Sequence, residues 1–237
     1  MLKENRELEV IPVMLKQEYI AGLIDHTQLK ADTSRGDIER LCGQAVSEGF
    51  FSVCVNPFWV KEAADMLKGQ RTKVCTVIGF PLGADTPRTK ARQAEIALED
   101  GARELDMVIN IGAVKSGDYK TVAEEINSVK KTGAEVLKVI IETCYLTDDE
   151  KVRLCRLVKE CGADFVKTST GFGTSGATAS DVRLIRAAVG TGIGVKASGG
   201  IRDLDTLIGM VEAGASRIGT SSGMKIMEEV RTKLEEE

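Results

Sequence analysis

The sequence has only one histidine, and none of its six cysteines forms a CxxC pair. Zinc sites and disulfide frameworks depend on clustered or regularly spaced ligands, so neither is predicted and we expect no metal site. With no histidine placed to activate it, Cys54 is interpreted as a small core residue and not as a nucleophile. The single histidine, His26, follows Asp25 directly, and it either orients site residues or is a buried structural histidine.

Long apolar stretches and an excess of basic charge are also missing. No run of about 18 apolar residues occurs, and the first residues, MLKENRELEV, carry charges where a signal peptide has its apolar core. We therefore expect no membrane association and a cytoplasmic protein with free thiols. Lys and Arg number 32 against 36 Asp and Glu, a net charge of −4. This balance argues against a nucleic-acid partner, whereas a small anionic ligand needs only a few donors.

Linkers rich in proline or serine, which would separate a second domain, are absent as well. Instead, short apolar runs alternate with longer segments whose apolar residues recur at three- and four-residue spacing, as in helices that pack on a sheet. The predicted strands are the eight segments 20–27, 51–56, 73–80, 104–110, 136–143, 164–170, 194–200 and 216–222.

A related phrase ends several predicted helices: DGARELD, TGAEVLK, CGADFVK and AGASRIG. Glycine at this point favours a left-handed helix C-terminus followed directly by a strand, so the phrase marks a repeated strand–helix unit. Eight units predict an α/β fold, a (β/α)8 TIM barrel formed by residues 1–237 as a single domain, with an extra N-terminal helix over about residues 1 to 18. An open doubly wound sheet is the alternative. It is disfavoured because no GxGxxG motif follows the first strand.

Four charged residues stand inside predicted strands: Asp106, Lys138, Lys167 and Lys196. The active site of such a barrel lies at the C-terminal ends of its strands, so polar residues there favour a functional role. Because side chains alternate between the two faces of a strand, Lys167 and Lys196 are neighbours if both point inward. Two adjacent ammonium groups repel each other in a site poor in water, which favours the neutral amine of one of them.

A neutral lysine amine attacks carbonyl carbons, and the iminium that forms accepts the electron pair of a breaking carbon–carbon bond. Asp106 would supply the acid/base group that this chemistry requires. Structural interpretations remain for each residue. A single strand lysine often snorkels to the surface, Asp106 could be an ion-pair partner, and Lys138 could merely pair with Glu142 or Asp106.

Glycine-rich loops follow the last three predicted strands: GFGTSGAT, ASGGIRD and GTSSGMKIMEE. Each alone is an ordinary turn. Together, their N–H groups and the N-terminus of a short helix resemble the phosphate site often found after strands seven and eight of these barrels. We therefore predict that a phosphorylated small molecule binds here. Ser221 and Ser222 would donate hydroxyl hydrogen bonds to it, and Thr170 and Gly219 stand at the same strand ends as further predicted substrate-binding residues.

The sequence resembles the deoxyribose-phosphate aldolases, a family of class I aldolases, in the order of eight motifs: AGLIDHTQLK, FSVCVNP, IGFPLG, ELDMVINIGA, LKVIIET, DFVKTSTGF, VKASGGIR and RIGTSS. The resemblance implies reversible cleavage of 2-deoxy-D-ribose 5-phosphate to D-glyceraldehyde 3-phosphate and acetaldehyde, without a cofactor. It implies that Lys167 carries the Schiff base, that Asp106 transfers protons and that Lys196 lowers the pKa of Lys167. It also implies that Gly171, Gly199, Gly200, Ser221 and Ser222 belong to the phosphate-binding loops. The family commonly forms dimers or tetramers, so we expect a homo-oligomer.

Small departures from the family pattern are present. Some members place a C-terminal tyrosine over the active site, whereas this chain has RTKLEEE there. Proton transfer at the acetaldehyde methyl group would then depend on Asp106, Lys138 and water, or on another group. Ser175 and Gln28 stand where glycine and leucine are expected. The competing functions are a non-catalytic barrel that binds phosphorylated metabolites and a Schiff-base aldolase that acts on a ketose phosphate.

Overall fold

Eight parallel strands form a closed barrel in chain order, so the predicted TIM barrel is confirmed and the open sheet is wrong. The computed structural model describes residues 16–235. The ring closes where Ile24 of the first strand pairs with Ile218 of the last. The strands are β1 (Ile24–Gln28), β2 (Ser52–Val55), β3 (Lys73–Ile78), β4 (Glu104–Val108), β5 (Val136–Ile140), β6 (Phe165–Lys167), β7 (Gly194–Ser198) and β8 (Arg217–Thr220).

Helices connect the strands and surround the barrel. Two short 3-10 helices, Pro57–Trp59 and Thr143–Tyr145, follow the second and fifth strands. The α-helices are α1 (Gln17–Leu23), α2 (Arg35–Glu48), α3 (Val60–Met66), α4 (Pro87–Glu99), α5 (Ile111–Lys115), α6 (Tyr119–Lys130), α7 (Asp148–Glu160), α8 (Ala179–Val189), α9 (Leu204–Glu212) and α10 (Gly223–Glu235). Within residues 16–235, none of these helices has the length and apolar character needed to cross a membrane.

The start of the first predicted strand, residues 20–27, is wrong. Residues 20–23 belong to α1, which packs against α10, and the strand begins at Ile24. Ile20, Ala21 and Ile24 are all buried, and a short apolar run of this kind has no periodicity that separates a helix end from a strand. Most of the predicted N-terminal helix, residues 1–15, lies outside the described part of the chain.

The repeated glycine phrase marks the helix–strand junctions as predicted. Its glycines follow α4, α6, α7 and α9 and adopt the left-handed conformation, with φ of 106° at Gly101, 89° at Gly133, 72° at Gly162 and 112° at Gly214. Side chains other than glycine avoid this region, so the four positions end their helices and turn the chain into the next strand.

The strands are buried on both faces. Their outward side chains, including Val53, Leu105 and Val166, join the helices in one large apolar core. Inside the barrel, Cys54 and Cys75 contribute to a small apolar cluster, while most other inward positions are polar or charged. The hydrophobic effect therefore stabilises the outer layer, and the barrel interior is available for charge chemistry.

A buried ion pair fixes the C-terminal end of β4. Lys90 Nζ lies 2.5 Å from Glu125 Oε2 and donates to the Val108 carbonyl at 2.8 Å. Glu125 also accepts the N–H of Asn110 at 2.7 Å. Because both charges are fully buried and paired, the strand end is held in one position relative to α4 and α6.

Candidate active site

The four predicted strand charges converge on one carboxylate. Asp106 accepts hydrogen bonds from Lys138 Nζ at 3.0 Å, from Lys167 Nζ at 2.8 Å and from Lys196 Nζ at 2.6 Å. Strand register produces this meeting, since Asp106 pairs with Lys138 and Lys167 pairs with Lys196 on adjacent strands. All four side chains are buried, so the network is shielded from water.

A second layer of charges, which sequence reasoning did not assign to the site, lies beneath the first. Asp25 Oδ2 lies 2.5 Å from Lys196 Nζ, and Asp25 Oδ1 lies 2.8 Å from Arg217 Nη1. Glu104 contacts Lys138 at 2.5 Å and Arg217 at 3.2 Å. The available signal was the same as for Asp106: a charged residue inside a strand on its inward-facing side.

The network contains four bases and three acids. Burial opposes the ionisation of Asp106, but the charges of Lys138, Lys167 and Lys196 outweigh it and hold the pKa of Asp106 well below its usual value. Burial alone would lower the pKa of Lys196, yet Asp106 and Asp25 raise it instead. The pKa of Lys138 is raised against burial in the same way, with Asp106 as its strongest partner. Lys138 and Lys196 are therefore fixed cations.

Lys167 occupies a different position from the other two lysines. In the described part of the chain its ion pair is with Asp106 alone, whereas Lys138 and Lys196 each contact at least two carboxylates. Lys167 also lines a cavity of about 340 Å³ at the C-terminal end of the barrel. It is thus the lysine of the network that a ligand can reach.

Most of the predicted phosphate-binding residues line the same cavity: Thr170, Gly171, Gly199, Gly200, Gly219 and Ser221. Ser222 is not among the lining residues. Its N–H donates to the Thr220 hydroxyl at 2.9 Å, and its carbonyl accepts the first backbone hydrogen bond of α10. Two cations that the prediction omitted, Lys30 and Arg202, also lie at the cavity.

Close backbone contact holds the two glycine loops together. A Cβ at Gly176 would lie 2.2 Å from the Gly199 carbonyl oxygen, so only glycine permits the approach. Ala177 N donates to the carbonyls of both Ser198 and Gly199, at 3.1 and 3.0 Å. The loop after β6 is therefore positioned on the loop after β7.

Glu142, which the sequence offered as a possible partner of Lys138, is directed elsewhere. Lys138 contacts Asp106 and Glu104, while the Glu142 carboxylate accepts the N–H of Thr170 at 3.2 Å and also the Thr170 hydroxyl. Burial raises the pKa of Glu142, against the hydrogen bonds of Thr170 and the charge of Lys167. Glu142 therefore lies outside the lysine network, bound to Thr170, which lines the cavity.

Neither His26 nor Cys54 lines the cavity, although Cys54 Sγ lies within 4.8 Å of an Asp106 oxygen. His26 packs against Phe50 in the layer between barrel and helices, with Nε2 at 3.0 Å from Gln44 Oε1, and burial lowers its pKa. Cys54 is fully buried inside the barrel beside Cys75. These positions favour the structural interpretation of both residues.

Possible metal ligands gather twice inside the barrel, as Cys54, Cys75 and Asp106, and as Asp25, Cys75 and Glu104. In both groups the carboxylates already bind lysine or arginine. A metal ion there would have to displace these cations, so the donor set is better suited to binding basic side chains.

Known proteins are similar to this chain in both sequence and fold. The profile of the DeoC/LacD family aldolases matches residues 20–229. Deoxyribose-phosphate aldolase from Brevibacillus brevis is 56% identical over 210 residues, covering 88% of this chain and 95% of that protein. The enzyme of the same name from Thermococcus gammatolerans is 57% identical over 218 residues, covering 90% and 96%.

A solved structure agrees with these relatives. The deoxyribose phosphate aldolase from Aeropyrum pernix, described as tetrameric, superposes with a TM-score of 0.85 at 34% identity, covering 92% of this chain and 93% of that one. Sequence and fold thus give the same assignment: this chain belongs to the DeoC/LacD family of aldolases.

Proposed function

We propose that this chain is a class I aldolase that reversibly cleaves 2-deoxy-D-ribose 5-phosphate to D-glyceraldehyde 3-phosphate and acetaldehyde, through a Schiff base on Lys167. The observation that carries the proposal is the position of Lys167, which joins the charge network to a cavity lined by glycine loops. The names of the relatives support this substrate.

The charge balance of the barrel interior supports Lys167 as the nucleophile. Four bases face three acids, so the network becomes neutral when one base loses its proton. Arg217 does not deprotonate in proteins, and the pKa values of Lys138 and Lys196 are raised. Lys167 is the remaining base of the network, and it is the one that lines the cavity. Lys196 donates to the same oxygen of Asp106 as Lys167 does, and its fixed positive charge disfavours a second ammonium group beside it.

Each step of the reaction uses a group of this network. Lys167 Nζ attacks the C1 aldehyde, and loss of water gives the iminium. Asp106, directly or through water, takes the proton of the C3 hydroxyl, and the C2–C3 bond breaks as its electron pair moves into the enamine. Protonation of the enamine at C2 and hydrolysis release acetaldehyde and restore the amine. Because the iminium accepts the electrons, the step requires no separate electron sink.

The glycine loops are suited to hold the 5-phosphate. Gly199 and Gly200 have φ of 85° and 81°, a conformation that exposes backbone N–H groups, and Ser221 lies at the same cavity. Ser222, just before α10, adds a hydroxyl and the positive end of the helix. The side chains of Lys30 and Arg202 would add charge complementary to the phosphate.

The proposal also covers the oligomeric state of the protein and its cellular compartment. We infer a homo-oligomer, on the support of the Aeropyrum pernix relative, which is described as tetrameric. Light scattering coupled to size exclusion would give the subunit number. All six cysteines are free thiols, which suits a reducing cytoplasm.

The test is an NMR assay of the purified chain with 2-deoxy-D-ribose 5-phosphate. We expect acetaldehyde and glyceraldehyde 3-phosphate as products, and no turnover by Lys167→Ala. Lys233→Ala, which changes an exposed lysine, is the matched control and should retain full activity. Binding without turnover by the wild type would indicate a non-catalytic phosphate-binding barrel. Cleavage of a ketose phosphate in its place would indicate a different Schiff-base aldolase.

A further inference from the structure

The cleavage reaction contains two separate proton transfers, and Asp106 is poorly suited to one of them. It can take a proton from the C3 hydroxyl as a carboxylate. The enamine carbon, however, must receive a proton, and Asp106, whose pKa is held well below its usual value by three lysines, readily gives up to solvent the proton that it has taken. A proton donor of a different character is therefore needed near Lys167.

Glu142 has electrostatic surroundings opposite to those of Asp106. Its side chain is buried, and in the described part of the chain no lysine or arginine forms an ion pair with it. A Cβ at Gly173 would lie 3.3 Å from Glu142 Oε1, so the loop after β6 closes over the carboxylate. The pKa of Glu142 is raised by this burial. Burial thus shifts Glu142 toward the protonated form, in the direction opposite to the shift of Asp106.

Thr170 connects this carboxyl group to the cavity. Its hydroxyl donates to Glu142 Oε2 and accepts the N–H of Phe172 at 3.0 Å. These two bonds fix the orientation of the hydroxyl. Thr170 also lines the cavity, three residues after Lys167 at the end of β6. In this orientation the hydroxyl hydrogen is donated to Glu142, so a proton that the Thr170 oxygen takes up from the cavity can pass on to Glu142; the reverse transfer requires the hydroxyl to turn toward the cavity.

The backbone at Glu142 indicates that its position is enforced. It is the non-glycine residue with positive φ in residues 16–235, at 53°. Such a conformation costs about 1 to 3 kcal/mol and persists when the surroundings hold it. The contacts that hold it include those with Thr170, whose N–H lies 3.2 and 3.3 Å from the two carboxylate oxygens, and the hydrogen bond from Tyr145 N–H to the Glu142 carbonyl at 3.1 Å. The strain therefore serves to aim the carboxyl group at Thr170.

We propose that Glu142 exchanges protons with the methyl carbon of Lys167-bound acetaldehyde through the Thr170 hydroxyl. This inference rests on the proposed function and deepens it. In the cleavage direction, the enamine carbon takes the proton of the Thr170 hydroxyl as the C=C electron pair forms the new C–H bond and the nitrogen becomes an iminium. Glu142 gives its proton to the Thr170 oxygen. The proton that Asp106 took from the C3 hydroxyl passes to solvent, and Glu142 is reprotonated from solvent, so both carboxyl groups return to their starting states. In the synthetic direction, the C–H bond breaks and the proton follows the reverse path.

The experiment measures two half-reactions of acetaldehyde alone. Incorporation of deuterium from D₂O into the methyl group, followed by proton NMR, reports proton exchange at carbon. Borohydride trapping of the adduct on Lys167, followed by mass spectrometry, reports Schiff-base formation. We expect Glu142→Gln, which keeps the hydrogen-bond acceptor for Thr170, to lower deuterium incorporation at least tenfold while trapping stays within about twofold.

Thr170 provides the matched pair of variants. Thr170→Val should show the same loss of exchange with trapping intact, and Thr170→Ser should restore exchange because it retains the hydroxyl. A purely structural role would lower both half-reactions together, and that result would overturn the inference. Unchanged exchange in Glu142→Gln would overturn it as well, with the aldolase assignment intact. Failure of the wild type to form any adduct would refute the proposed function itself.

Discussion

Replacing Asp25 by asparagine should destabilise the barrel strongly, because this carboxylate neutralises two buried cations at once. Lys196 Nζ lies 2.5 Å from Asp25 and Arg217 Nη1 lies 2.8 Å from it, and the Ser52 hydroxyl donates to it at 2.7 Å. The side chain is fully buried. Asparagine keeps the size of the side chain and removes the charge, so the change isolates the electrostatic contribution.

The expected loss of stability depends on the ion pairs that remain after the substitution. Removing one partner of a buried ion pair costs about 3 to 5 kcal/mol, because the other charge stays buried. After the substitution, Lys196 retains Asp106 and Arg217 retains Glu104, so neither cation is left without an acid. We therefore expect a loss of about 3 to 5 kcal/mol in the free energy of unfolding and no larger effect. For a chain of this size, that corresponds to a fall of roughly 6 to 20 °C in Tm.

The assay is guanidinium denaturation of wild type and variant, with Glu135→Gln as the control. Glu135 also contacts two cations, Lys73 and Arg103, each at 3.4 Å, but it is exposed. Because solvent screens an exposed pair, the control should unfold at the wild-type midpoint within error. Equal midpoints for Asp25→Asn and the control would refute the reasoning that the interior network is electrostatically coupled.

The effect of Asp25 should also depend on pH in one direction. Burial opposes ionisation, but Lys196, Lys138 and Arg217 hold the pKa of folded Asp25 below its usual value. As pH falls, the unfolded chain therefore binds the proton first, and the stabilisation by Asp25 is present above about pH 4 and lost below it. The difference in free energy of unfolding between wild type and Asp25→Asn should be constant at neutral pH and should become smaller in acid. A difference that became larger in acid would contradict the lowered pKa of folded Asp25.

Three further substitutions test the site. Lys196→Ala removes the cation that shares an Asp106 oxygen with Lys167, so we expect little activity at neutral pH and a rise toward alkaline pH; a flat pH–rate profile would contradict the role of Lys196. Ser222→Ala should raise KM for 2-deoxy-D-ribose 5-phosphate roughly tenfold to a hundredfold and leave kinetics with unphosphorylated 2-deoxy-D-ribose unchanged; equal effects on both substrates would exclude a phosphate contact. Gly176→Ala should raise the same KM, since its Cβ would lie 2.2 Å from the Gly199 carbonyl oxygen; unaltered kinetics would show that the loops tolerate separation.

The fold was predictable from the sequence because periodicity and glycine junctions are local signals. Segments near β2 to β8 were recognised from apolar runs bounded by helical spacing, and the repeated glycine phrase marked four junctions. The exception was the segment at residues 20–23. Ile20 and Ala21, near the end of a helix, and Ile24, at the start of a strand, are all buried and belong to one apolar run. Only packing of α1 against α10 distinguishes the two.

The site was predictable in part. A lysine inside a buried strand is conspicuous, which is why Lys167 and Lys196 were identified and why the structure brings them together at Asp106. Arg217 and Asp25 carry the same signal. Their contact spans the closure of the barrel between β8 and β1, however, and strand order along the sequence does not reveal this pairing. The Glu142 contact with Thr170 likewise depends on loop geometry that periodicity does not encode.

The most direct test of the central claim is trapping of acetaldehyde on the wild-type protein with borohydride, followed by peptide mapping. If Lys167 is the nucleophile, the reduced two-carbon adduct will be found on Lys167, in the peptide that contains DFVKTSTGF. Lys138 and Lys196 will be unmodified, because both are fully buried and held as cations by carboxylates. No adduct, or an adduct on Lys196 or Lys138, would contradict the account.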